Sequence, residues 1–73
     1  MEEGCVQLSG VPDGATVELD GRFWLYAQQL GQRWLAVSDG RHTISVHAGG
    51  AEPVERVVDV ESGKNLVVDF GLT

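Results

Sequence analysis

Apolar residues recur at every second position along most of the chain, and the runs are broken by short segments of Gly, Pro, Asp and Asn. Period two marks strands with one face in a core, because successive side chains leave a strand on opposite sides. The best-specified unit runs from Val11 to Gly21. Pro12 presets φ for the second position of a β-turn, Asp13 bonds its own backbone and Gly14 suits the last position, so 11–14 read as a type I turn. Thr16, Glu18 and Asp20 then alternate with Val17 and Leu19, which predicts a strand over 15–19. Asp20-Gly21 is a favoured pair for a two-residue hairpin with φ > 0.

Upstream, Val6 and Leu8 alternate with Gln7 and Ser9 and predict a strand over 5–10. Downstream, Arg22-Phe23-Trp24-Leu25-Tyr26-Ala27 is rich in aromatic residues of high β-propensity. Regular alternation there sets Phe23 and Leu25 on one face and Trp24 and Tyr26 on the other. A helix over 23–30 competes, since Phe23, Tyr26, Ala27 and Leu30 also fall at helical spacing, but the hairpin signal upstream favours a strand. After the polar break 28–32, extended segments are expected over 33–37, 41–47, 54–60 and 66–70. In the second of these, His42, Ile44 and Val46 share one face and His47 takes the other. In the third, Arg56 shares a face with Val54, Val58 and Val60, which suggests an edge strand whose long side chain reaches water. About seven short strands and no confident helix describe an all-β fold, a small antiparallel β-sandwich.

With 73 residues there is room for one domain, over 1–73, and a chain so short must bury its apolar residues efficiently to be stable. The lone Cys5 forms no internal disulfide, and two histidines with one cysteine are too few for a zinc set, so no metal or cofactor is expected. Eleven acidic against five basic residues give a net charge of −6, which repels phosphate backbones and anionic lipid and argues against nucleic acid or direct membrane insertion. Residues 1–5 have neither the basic nor the apolar part of a signal peptide, a reading equally compatible with a domain of a larger secreted protein.

Pro12-Asp13-Gly14-Ala15 with Val17-Glu18-Leu19-Asp20-Gly21, then Asp39-Gly40-Arg41-His42-Thr43-Ile44-Ser45-Val46, then Val58-Asp59-Val60 with Leu66-Val67-Val68, resembles the PEGA domain family. Asp13 stands where the family name has Glu. The family's Gly-x-Thr-Pro element after the Asp-Gly turn and its aromatic residue after the glycine near Gly50 are missing, so nothing is carried over for residues 22–37. The resemblance implies an immunoglobulin-like or prealbumin-like sandwich without catalytic residues, an accessory module of larger bacterial and archaeal proteins. These are often surface or envelope proteins, which favours an extracytoplasmic location, and are sometimes attached to kinases.

The candidate chemistry is sparse. His42 and His47 leave their strand on opposite faces and do not share a metal, and His42 reads as a core-margin side chain. Asp13, Asp20 and Asp39 each precede glycine, which turn chemistry explains better than a calcium site. Glu55, Asp59 and Glu61 read as a solvated acidic face, and a small hydrolase would need a cleft that gathers two such carboxylates. Trp24, Tyr26 and Trp34 are the candidate binding residues, either as an exposed surface or, in part, as core. The expected function is a non-enzymatic interaction module that docks a protein partner or neighbouring domain, as a monomer or weak edge-paired dimer. The alternative is a carbohydrate-binding module whose aromatics stack on a cell-envelope glycan.

Overall fold

The computed structural model describes residues 2–72; Met1, part of the N-terminal reading above, lies outside them. Seven strands follow in order: β1 Glu3–Ser9, β2 Thr16–Leu19, β3 Arg22–Tyr26, β4 Leu35–Ser38, β5 Gly40–His47, β6 Val54–Val60 and β7 Asn65–Asp69. They form a three-stranded sheet in the order β4-β1-β7 and a four-stranded sheet in the order β3-β2-β5-β6. The protein is an all-β sandwich.

Two details differ from a wholly antiparallel sandwich with a type I turn at its start. The first and last strands, β1 and β7, pair in parallel, from Cys5 opposite Asn65 to Ser9 opposite Asp69, so the smaller sheet is mixed. A parallel neighbour needs a crossover, and here nearly the whole chain provides it. The first turn also lies one residue later, with the Ala15 amide donating to the Pro12 carbonyl and Gly14 at φ +85° in the third position. That geometry is type II, and it is Gly14 that permits it.

The core lies between the inward rows of the two sheets. Val6 of β1, Val17 of β2, and Ile44 and Val46 of β5 are fully buried, joined by Leu35, Val37, Val58, Val60, Val68 and Phe70. Within the larger sheet Val17 stands opposite Val46 and Leu19 opposite Ile44, so the period-two pattern of β2 and β5 meets on one face. The Asp20-Gly21 hairpin forms as its residues dictate, with both at positive φ, 53° and 83°, and Leu19 opposite Arg22. Strand β6 is an edge, paired only with β5. Arg56 on its inward row reaches the open side of the sandwich, where its guanidinium lies 5.6 Å from the centre of the Phe70 ring.

After Tyr26 the strand gives way to a short 3-10 turn, Ala27–Gln29. Buried Ala27 and Leu30 fasten this connection to the core as the chain crosses to the other sheet. The helical spacing of 23–30 therefore corresponds to a strand followed by one tight turn.

Candidate functional site

Strand β3 holds most of the aromatic residues, and a bulge decides where they point. Val17 faces Leu25 and Glu18 faces Phe23, so Trp24 has no residue opposite it in β2. One extra residue reverses the alternation beyond it. Leu25 turns inward with Val17, and Phe23 and Tyr26, three residues apart, come to the same outer face. Their rings meet edge to face with centroids 5.0 Å apart, and both are more than half exposed, at 57% and 52%. Trp24 packs against the core margin. The expectation that Trp24 and Tyr26 share a face is therefore corrected, and Phe23 takes the place of Trp24. Trp34 is exposed but immediately precedes β4, in the other sheet, and does not join this pair by strand register.

The outer face of the larger sheet continues from this pair across all four strands. Phe23 stands opposite Glu18, Glu18 opposite Ser45 and Ser45 opposite Glu55, while Val57 lies opposite Thr43 and Asp59 opposite Arg41. The Ser45 hydroxyl donates to Glu55 Oε2 at 3.2 Å. His47 Nε2 is covered and lies 3.1 Å from Glu18 Oε1, close enough for an ion pair when the ring is protonated but out of line for a hydrogen bond. His47 therefore packs beside Glu18, partly exposed, with its Nε2 unpartnered by a hydrogen bond. Serine, histidine and glutamate types coincide here, but the Ser45 hydroxyl donates to Glu55 and no hydrogen bond joins it to His47.

His42 faces the other way, as its strand position predicts, and sits in a polar cluster at the core margin. Its Nδ1 donates to Asp20 Oδ2 at 2.6 Å and its Nε2 to the Ser38 carbonyl at 2.8 Å. Both acceptors favour the doubly protonated ring. The Asp20 hydrogen bond raises the His42 pKa above its ordinary value, burial opposes this, and the Ser38 carbonyl adds to the rise. The Asp20 carboxyl is held below its ordinary range, first by the Thr43 amide, which donates to Oδ1 at 2.9 Å, and then by His42. These shifts are explained by a structural cluster that ties the first hairpin to β5 and β4.

No protein-family model matches the chain, and no curated protein matches it.

One concavity lies at the open side of the sandwich, where the end of β6 meets the start of β7. It is an open cleft of about 330 Å³, floored by Val60 and Leu66 and rimmed by Asp59, Glu61 and Lys64. It does bring two carboxylates together, but the Asp59 side chain faces solvent and pairs with Arg41 at 3.4 Å. Among the described residues no three His, Cys, Asp or Glu side chains gather to hold a metal ion. Asp13 and Asp20 serve their turns.

Sequence reasoning named Tyr26 and Trp34 among its candidates without deciding between surface and core, and missed Phe23 and Val57. Phe23 was hidden by the bulge, which no residue type announces. Val57 sits in a run of valines whose inward and outward members look alike until the edge pairing is known.

Proposed function

We propose that the chain is a non-catalytic interaction module, a PEGA-like β-sandwich that docks a protein partner or a neighbouring domain of a larger protein through the outer face of β3. The exposed Phe23–Tyr26 pair carries this reading. Aromatic side chains held on a rigid strand offer large contact area at little cost in side-chain entropy, and apolar area removed from water by a partner stabilises the complex by roughly 25 cal/mol per Å². The family resemblance supports the same role and suggests its setting, an envelope or surface protein.

Glycan binding is the alternative that exposed aromatics also support. A sugar ring prefers a flat platform, whereas Phe23 and Tyr26 meet at 61° and Trp34 adjoins the other sheet.

Photo-crosslinking tests the proposal. A benzophenone amino acid placed at position 23 or 26 in the native full-length protein is expected to trap one dominant protein product, with none from position 67 on the opposite sheet. Indistinguishable products from all three positions would refute a specific face. A glycan-array signal abolished by Phe23→Ser with Tyr26→Ser would establish the carbohydrate reading instead.

A further inference from the structure

We propose that the free edge of β6 is a second docking site, which takes an extended segment of a protein partner carrying basic side chains on either side of an apolar one. This deepens the reading of the chain as an interaction module but uses the opposite edge of the sheet, roughly 14 Å from the Phe23–Tyr26 pair at three strand spacings.

The four sheet edges are not equivalent. Strand β3 is interrupted at Trp24, β4 has only four residues and β7 five. Strand β6 has seven residues, and its pairing with β5 runs without a shift from Val46 opposite Val54 to Gly40 opposite Val60. A long regular edge presents a row of backbone donors and acceptors that an added strand completes; the Arg56 guanidinium, which donates to the Glu55 carbonyl at 3.1 Å, has to give way where it covers that row.

The side chains on this edge define what the added strand must carry. On the outward row Val57, 64% exposed, lies between Glu55 and Asp59. Glu55 accepts from Ser45 through one oxygen, and the Arg41–Asp59 pair is loose and about three-quarters exposed, so both carboxylates remain reachable from the edge. A second copy fits badly. Antiparallel self-pairing about Val57 sets Glu55 opposite Asp59 twice, and like charges directly opposite one another are destabilising, in a chain already at −6. A partner with lysine or arginine at those two positions and an apolar residue between them turns both repulsions into attractions. On the inward row, the partner residue opposite Val60 meets the cleft floored by Val60 and Leu66, whose rim carries Lys64 as well as Asp59 and Glu61, so this position calls for an apolar residue rather than a further basic one.

The test titrates the isotope-labelled protein with a capped nine-residue peptide whose centre is Lys-Ile-Val-Thr-Lys, and with the same peptide bearing glutamate for both lysines. Backbone amide shifts are expected along 54–60 with the lysine peptide and not with the glutamate peptide, weakening as salt is raised. Glu55→Lys with Asp59→Lys is expected to lower affinity for the lysine peptide by about tenfold or more, with circular dichroism unchanged. Phe23→Ser with Tyr26→Ser is expected to leave it unaltered, which separates this site from the β3 face. The proposal is overturned by shifts centred away from β6, by no shifts at millimolar peptide, by equal binding of the two peptides, or by a wild-type dimer formed through β6.

Discussion

Asp20 and His42, twenty-two residues apart, are joined by a 2.6 Å hydrogen bond from imidazole Nδ1 to carboxylate Oδ2. Asp20 simultaneously occupies a left-handed turn position and receives the Thr43 amide, so one side chain sets the first hairpin and anchors it to β5. The Nε2 proton of His42 carries the link on to Ser38, the last residue of β4 in the other sheet.

This relationship predicts a pH dependence. The pKa of His42 is raised above 6.5 in the fold, so its contribution is fully present below that value and is lost as pH rises through the higher folded value. The pKa of Asp20 is lowered below 3.8, so its contribution is present above 3.8 and is lost as pH falls through the lower folded value. The pair is therefore fully effective between these limits. Asp20→Asn keeps an oxygen for Thr43 and tolerates the left-handed backbone, but removes the charge. Urea unfolding from about pH 5 to about pH 9 should show wild type more stable than the variant at the acidic end, with the gap narrowing as the ring deprotonates. A gap that stays constant over that range would refute the coupling.

The cluster also shows which parts of the fold the sequence discloses. Local rules suffice for the Asp20-Gly21 hairpin, the inward row His42–Ile44–Val46 and the edge character of β6, because each depends on neighbouring residues and period-two patterning. Contacts that depend on register between distant strands are invisible to those rules. That Asp20 meets His42, that β1 runs parallel to β7, and that a bulge at Trp24 moves Phe23 beside Tyr26 all follow from tertiary packing. The candidate site was legible only as a composition, an aromatic cluster in residues 22–34, because which rings face solvent depends on that one extra residue.

Gly4 offers a test of the corner where β1 passes the end of β6. A β-carbon there would lie 2.4 Å from the Glu61 carbonyl oxygen and 2.8 Å from Val60 Cγ1, and the first of these is backbone that does not yield cheaply. Gly4→Ala should therefore destabilise by about 1–3 kcal/mol, read from the urea midpoint at constant m-value. Gly49→Ala, with open space around the added carbon, is the matched control and should cost far less.

Ile44 and Val57 contrast core with surface on adjoining strands. Ile44 is fully buried between the sheets, whereas Val57 is 64% exposed on the outer row. Ile44→Ala should cost about 2–5 kcal/mol, a large share of the stability of so small a domain. Val57→Ala should stay within about 1 kcal/mol, since surface substitutions away from special features change stability little. Equal costs in chemical denaturation would mean that Val57 is already covered in solution.

The two tryptophans provide the most direct check on the aromatic arrangement. The bulge turns Trp24 against the core, while Trp34 is left 46% exposed before β4. Trp34→Phe leaves Trp24 as the sole indole, which should emit toward the blue and resist acrylamide. Trp24→Phe leaves Trp34, which should emit toward the red and quench readily. Trp24→Phe should also be the more destabilising of the two, because it removes apolar area packed against the core. Had β3 kept regular alternation, Trp24 and Tyr26 would share the outer face and Phe23 would pack inward. The two single-tryptophan proteins would then quench alike, an outcome that would remove the bulge and, with it, the Phe23–Tyr26 docking face.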